Sequence, residues 1–426
     1  MEVQLQDVFG VPPRVKTLSY VDRGGLDARL RYAASTQKVV IIHGDSKQGK
    51  TWLRQNVLPA DDCVHVQCQL GATAASLLTQ ALGRLGVKAE LRQTSKHELG
   101  GSMDLSGSGE LGVKLLAKLK LQGKASGSTN RGTEREFTPV GQTPADLAWV
   151  ACVLEESGKR LVIEDFHYLD EETRRQFAFL LKALGDYGVH PVIIGVWSQD
   201  HLLTYYNGDL SQRIEDIHLL WTAQDLETVL LHGSEALNVT MSPPLRRELV
   251  RDAYGNVGTL QALAEAYCQE AGIYEQQKES VYLTPGPALA RGRERIARSM
   301  EPRFQGFADA YVAGLQGLPE SERRILHAVI EMVCARPDDE LLNGLPLDHL
   351  RVTQAEVGLA HPELVALLGG VERFQSDLDI SPIMMTFNRH AQSVSLIDRR
   401  FLFYRKYGTP RWPWDGPTLH GTGEQR

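Results

Sequence analysis

Eight consecutive residues, Gly44-Asp45-Ser46-Lys47-Gln48-Gly49-Lys50-Thr51, have the types and spacing needed to bind a phosphate group. In the pattern G-x-x-x-x-G-K-T the glycines let the backbone turn so that successive N–H groups converge on an anion. The lysine places a compact positive charge beside the outer phosphates, and the threonine hydroxyl can ligate magnesium. Trp52 is the next residue of the candidate site. The plain alternative is a glycine-rich turn with an accidental lysine. The context favours the loop, because an apolar strand, Val39 to Ile42, precedes it and a helical pattern follows.

Hydrolysis of a bound nucleotide also needs an anchor for the metal and a group that orients water. Leu161-Val162-Ile163-Glu164-Asp165 offers both, since an apolar strand delivers two carboxylates to its C-terminal end, the edge where parallel sheets bind ligands. Glu164 is expected on the magnesium side with Thr51, and Asp165 is expected to polarise water; a solvated acidic turn is the alternative. The strand beginning at Pro191 carries Ser198 and Gln199 at its tip, where many ATPases sense the γ-phosphate, although an ordinary strand exit reads the same. Arg213 precedes a strand predicted at Asp216–Leu220. It is placed to reach a neighbouring subunit's nucleotide, a task that suits the fixed charge and planar fork of a guanidinium. Otherwise it pairs with Glu215 or Asp216 at the surface.

These residues need an α/β scaffold, and the order of elements supplies one. Strands are predicted at Val39–Ile42, Cys63–Cys68, Leu161–Asp165, from Pro191, and at Asp216–Leu220, with helices between them. That alternation implies a mostly parallel sheet covered on both faces. Residues 1–220 form this core. A helix before the first strand turns Leu26, Leu30 and Ala33 to one side. A glycine-, serine- and lysine-rich insertion at about 95–136 contains a period-two run from Leu111 to Gln122, which reads as an amphipathic strand. Thr143-Pro144-Ala145-Asp146 is a strong helix start. From Trp221 the strands stop, and residues 221–280 read as a helical lid whose helices start at Thr222 and at Ser242. Residues 281–318 read as a linker and basic helix. Residues 319–415 read as a winged-helix-like domain of three helices and a two-stranded hairpin, and 416–426 as a disordered tail.

The 426 residues allow two or three domains, and 42% hydrophobic with 23% charged residues describes a soluble globular chain. A net charge of −7 argues against a general nucleic-acid coat. No apolar run reaches bilayer length, and the N-terminus lacks the basic-then-apolar order of a secretory signal. Five cysteines (Cys63, Cys68, Cys152, Cys268 and Cys334) without metal-ligand spacing complete the expectation of a cytoplasmic protein.

The phosphate loop, the segment Leu161–Leu169, the strand around Ile193, the run Asp209–Leu219 and the helical Tyr254–Leu263 together resemble AAA+ and STAND-type ATPases, over roughly Ser19 to Gly272. Origin-recognition-type initiators and transposition helper ATPases are the nearest likenesses. The resemblance implies ATP and Mg2+ as cofactors and an extra strand between the loop strand and the acidic strand. It also places Arg23, in the segment Tyr20–Asp27, near the adenine. Where STAND lids carry Gly-Asn-Pro, this sequence has Gly255-Asn256-Val257-Gly258.

Three functions fit. The first is an ATP-hydrolysing switch that forms a homo-oligomer through Arg213 and controls a separate effector or partner protein, by analogy in mobile-element or antiphage defence settings. The second is a DNA-loaded ATPase whose hairpin presents Arg399, Arg400, Arg405 and Lys406 to duplex phosphates, with Phe401, Phe403 and Tyr404 packing behind. The third is a nucleotide-binding scaffold with negligible turnover. The insertion is read as a surface excursion or an intersubunit hairpin in preference to a membrane-contacting one.

Overall fold

The computed structural model describes residues 2–12, 17–91, 103–107, 146–197, 201–380, 382–389 and 391–415. Its main sheet has five parallel strands: β1 (Val39–His43), β2 (Cys63–Gln67), β3 (Arg160–Glu164), β4 (Val192–Ile194) and β5 (Ile214–His218), in the order β2-β3-β4-β1-β5. The predicted extra strand is therefore β4, which separates loop strand from acidic strand. β5 starts two residues before its predicted start, because β1 pairs with it from Val39 opposite Ile214. The continuous apolar runs arise because both faces are covered. Val39, Ile41, Ile163 and Ile193 face helices Ala74–Arg84, Leu147–Ser157 and Glu171–Asp186, whereas Val40, Ile42, Val162 and Ile217 face Leu30 and Ala33 of helix Leu26–Ser35 and Leu53 of helix Lys50–Val57.

Departures from expectation are local. Residues 143–145 lie outside the described residues, and the helix they were expected to start is capped by Asp146, whose Oδ1 accepts from Ala148 N at 3.1 Å. The predicted strand from Leu111 to Gln122 also lies outside them. Next to it, Val87–Leu91 pairs antiparallel with Met103–Gly107. The lid does have the helices started by Thr222 and Ser242, followed by Val257–Glu270, but strands do not stop at Trp221. Val239–Met241 pairs in parallel with Val281–Leu283, closing the far side of the lid core.

Within the segment read as a linker and basic helix, Pro287–Leu315 form one helix, 29 residues long. Its first half puts Leu289 and Ala297 into the lid core, and its second half puts Phe304, Phe307 and Tyr311 into the C-terminal core, so a single rod joins the two. The C-terminal domain runs as helix Glu320–Ala335, strand Leu345–Pro346, helices Arg351–Val357, His361–Gly369 and Val371–Asp377, and the hairpin Met385–Asn388 with Ser393–Leu396. The strands form a three-stranded antiparallel sheet. The expected hairpin was too long. Residues Arg400–Tyr407 are helical, and Phe401, Leu402, Phe403 and Tyr404 are all buried. Phe403 enters the lid core while Phe401, Leu402 and Tyr404 enter the C-terminal core. Four consecutive buried residues cover a full helical turn, so the periodicity that would betray a helix in a sequence is lost there. Among the described residues, no helix is long and apolar enough to cross a membrane.

Candidate phosphate-loop site

The loop follows β1 at the C-terminal edge of the sheet, as its motif requires. Gly44 has φ 140°, and a Cβ there would come within 2.8 Å of Leu219 O, so the position tolerates only glycine. Gly49, at φ 83°, caps the helix that begins with Lys50. Lys50 is buried and folded back on its own loop: its Nζ donates to Gly44 O at 3.0 Å and to Asp45 O at 2.6 Å. Thr51 is half-buried on the first turn.

Burial lowers the Lys50 ammonium from 10.5 to about 8, against the opposing pull of Asp45 and then Asp165. A triphosphate placed beside it would restore the charge. ATP binding near pH 9 is therefore expected to take up a substantial fraction of a proton, and affinity to fall by up to about tenfold per pH unit above about 8. Calorimetry in two buffers of different ionisation enthalpy measures the uptake; none at pH about 9 would contradict the assignment.

The lid touches the loop directly. Gly258 N donates to Lys47 O at 3.1 Å, Asn256 Nδ2 to Ser46 O at 2.7 Å, and Gln48 Nε2 to Gly255 O at 3.0 Å. Asn256 also caps its own helix, with Oδ1 accepting from Thr259 N at 2.9 Å. Gly258 is needed for the approach, because a Cβ there would lie 2.6 Å from the Lys47 Cβ. The substituted lid motif thus works as a clamp on the loop backbone.

The two acids part company. Glu164 Oε1 accepts from Arg54 Nε at 3.1 Å and from Arg54 Nη2 at 2.9 Å, and Arg54 is buried one turn beyond Lys50 on the loop helix. Asp165 adopts φ 57° and accepts from Gln67 Nε2 at 2.7 Å. Its charge acts on Lys50 and on the half-buried His167, whose imidazole desolvation holds near pKa 4. The carboxylate in the field of the loop lysine is thus Asp165, and Glu164 is tied to the helix.

Ser198 and Gln199 lie outside the described residues. Just before them, Trp197 stacks on His43, ring centroids 5.4 Å apart and planes 4° from parallel. His43, the last residue of β1, puts Nε2 2.9 Å from Asp216 Oδ1 on β5. Burial would raise the Asp216 carboxyl, but His43 and His201 hold it below its usual range. These contacts brace the floor of the loop across three strands.

Arg213 lies at the other edge of the sheet. Its carbonyl accepts from Val39 N at the start of β1, and its Nη1 is 2.5 Å from Asp186 Oδ1, with both side chains about half exposed. Five strand residues, roughly 17 Å, separate that edge from the loop, so Arg213 does not serve its own chain's site. Arg23 is close to the loop. Its Nη1 donates to Gln48 O at 3.2 Å and its guanidinium lies 4.0 Å over the Trp221 ring. Trp52, whose Nε1 donates to Pro12 O at 3.2 Å, lines the same cleft.

The four cations expected on duplex DNA are committed elsewhere. Arg399 Nε lies 2.7 Å from Asp45 Oδ2 in the phosphate loop, Arg400 pairs with Asp398, Arg405 with Asp338, and Lys406 with the buried Asp252. They sit on or beside a buried helix and do not form an exposed basic wing, which corrects the sequence expectation. Arg54 and Gln67 were not singled out by sequence reasoning, and Asn256 was named only as part of the lid motif, without its contact to the loop. Arg54 alone had a signal, one helical turn after the loop lysine.

Strand order and the loop after β1 define the class: this is a five-stranded parallel P-loop nucleotide-binding fold. No family model and no characterised protein matches the chain in sequence. Among solved structures it is similar to the Aeropyrum pernix Orc1 protein in complex with DNA, at 12% identity over 89% of this chain and 90% of that one, TM-score 0.35. It is also similar to the Thermotoga maritima RuvB Holliday junction branch migration motor, at 11% identity over 91% and 96%, TM-score 0.35. A third likeness is a STAND protein with a tetratricopeptide repeat sensor from Pyrococcus horikoshii, at 11% identity over 95% of this chain and 44% of that one, TM-score 0.38. The fold assignment rests on strand order and loop geometry and not on these overlaps.

Proposed function

We propose that the chain is an ATP-hydrolysing switch whose closed form is held by its own lid and C-terminal domain. The observation that carries this reading is the convergence of both domains on the phosphate loop: Asn256 on Ser46 O, Gly258 on Lys47 O and Arg399 on Asp45. A nucleotide that rearranges the loop must compete with these contacts, and it thereby couples binding to the position of the C-terminal domain.

The residues fit the expected magnesium nucleotide. Lys50 is a buried cation whose hydrogen-bond acceptors among the described residues are two backbone carbonyls, and Thr51, Glu164 and Asp165 are hard oxygen donors of the kind magnesium takes. Lys50 and the loop N–H groups would hold the phosphates, Thr51 with an acidic oxygen would hold the metal, and Asp165 would orient water. The metal's contribution is to neutralise charge on the phosphates. Arg213 would complete a neighbour's site in a homo-oligomer, and the partner would be a separate chain, by resemblance in a mobile-element or antiphage system. A DNA-loading role through Arg399, Arg400, Arg405 and Lys406 would first require all four to leave their carboxylates.

Phosphate release and light-scattering mass, measured with ATP, with ADP and without nucleotide, each with and without duplex DNA, test the reading. Turnover, a mass increase with ATP and magnesium, and no stimulation by DNA are expected. Binding without turnover would instead indicate a scaffold, and DNA-stimulated turnover a DNA-loaded enzyme.

A further inference from the structure

The motif of the loop leaves the residues between its two glycines open, and one of them, Lys47, stands apart. With φ 61° it is the one residue of the loop other than glycine that holds a left-handed backbone. That conformation is costly for a residue with a side chain, and it persists where the surroundings enforce it, often at functional sites. Here the lid enforces it. Gly258 N donates to Lys47 O at 3.1 Å, and a Cβ on Gly258 would lie 2.6 Å from the Lys47 Cβ. The Lys47 side chain therefore leaves the loop from a fixed point beside the lid.

Its charge is not matched within the chain. Lys47 is exposed, and its ammonium has no hydrogen-bond or ion-pair partner among the described residues. The other charged side chains of the loop are engaged, Lys50 by the carbonyls of Gly44 and Asp45, and Asp45 by Arg399. The two lysines also act on each other. After burial, the charge of Lys47 is the largest influence that lowers the Lys50 ammonium. Two like charges on one loop, one of them carried by a strained backbone, form an arrangement that a polyanion relieves.

We infer that the Lys47 ammonium is a second cationic contact for the outermost phosphate and makes the site select ATP over ADP; the inference rests on the ATP reading above. Lys50 is buried and tied to loop carbonyls, so it serves the phosphates seated in the loop. Lys47 extends from the lid side of the loop into solvent, where the terminal phosphate of a triphosphate adds negative charge that a diphosphate lacks. The attraction falls on ATP more than on ADP. A lysine suits the task because its ammonium is a compact point charge on a flexible stem.

The test is titration calorimetry of the full chain, with magnesium, using ADP and the non-hydrolysable ATP analogue adenylyl imidodiphosphate, repeated for Lys47→Gly and Lys47→Arg. The wild type is expected to bind the analogue about five- to tenfold more tightly than ADP. Lys47→Gly removes the charge and the left-handed strain together, so it is expected to melt at or above the wild-type temperature. It is nonetheless expected to bind the analogue about five- to tenfold more weakly, with ADP within about twofold of wild type. Lys47→Arg keeps the charge and is expected to keep the preference. A merely structural role for Lys47 would move both nucleotides together. No preference in the wild type, an unchanged preference in Lys47→Gly, equal losses of both nucleotides, or Lys47→Arg behaving as Lys47→Gly overturns the role of Lys47 and leaves the ATP switch intact. Failure of the wild type to bind either nucleotide overturns both.

Discussion

Asp165→Asn is expected to lower ATP turnover by about 100-fold or more while leaving ATP binding close to wild type, because it removes the acid proposed to orient water but keeps its shape. Glu164→Gln is expected to behave differently. Its carboxylate is already engaged by Arg54 through two hydrogen bonds to one oxygen, and Arg54 is buried. Loss of the negative charge leaves that guanidinium poorly matched, at a cost of about 1–3 kcal/mol in stability. Turnover should fall less, by about tenfold, through weaker hold on magnesium. Steady-state phosphate release and thermal melts on both variants separate the two roles. Wild-type turnover in Asp165→Asn would sink the assignment; a Glu164→Gln protein that melts unchanged but has lost turnover would reverse it.

That division was only half legible in the sequence. The phosphate loop and the strands on either side were readable because each is a continuous local pattern: an apolar run covered on both faces, then glycines at fixed spacing. The pair Glu164-Asp165 was readable as chemistry but not as roles. What separates the two acids is Arg54 on another element and the left-handed turn at Asp165, and neither is a property of the strand's own residues. Arg399 shows the same limit more strongly. A cluster of arginines and a lysine among aromatics has one composition whether it faces DNA or carboxylates of its own chain. Here Asp45, Asp338 and Asp252 come from distant parts of the chain to meet it. The lid motif Gly255-Asn256-Val257-Gly258 could be located by its glycines, yet its hold on Ser46 and Lys47 emerges only from the fold.

The lid and the C-terminal domain are joined tightly enough to move together, which makes the remaining contact with the loop decisive. Asp252 of the lid, fully buried, binds Lys406 Nζ at 3.1 Å, Tyr407 Oη at 2.6 Å and Arg293 of the joining helix. Tyr254 of the lid meets Asp338 at 2.6 Å, and Arg405 binds the same carboxylate. Against this body the loop presents Asp45, only 4% exposed and paired with Arg399. Burial raises the Asp45 carboxyl, while Arg399 and then Lys50 pull it back toward the charged form. Arg399→Glu would place a second carboxylate against it. Breaking a buried pair costs about 3–5 kcal/mol, and the partial exposure of Arg399 discounts this to about 1–3 kcal/mol, or roughly 5- to 150-fold in the closed-to-open ratio. Nucleotide exchange is expected to speed by that factor, with easier proteolysis between the core and the C-terminal domain and assembly at lower ATP. Asp45→Asn should release the same contact, so Arg399→Glu with Asp45→Asn should be no more open than Arg399→Glu alone. Exchange rates for the two singles and the double decide the matter. Additive effects, or a single Arg399→Glu that exchanges nucleotide at the wild-type rate, would show that the Asn256 and Gly258 contacts hold the loop without help from the C-terminal domain.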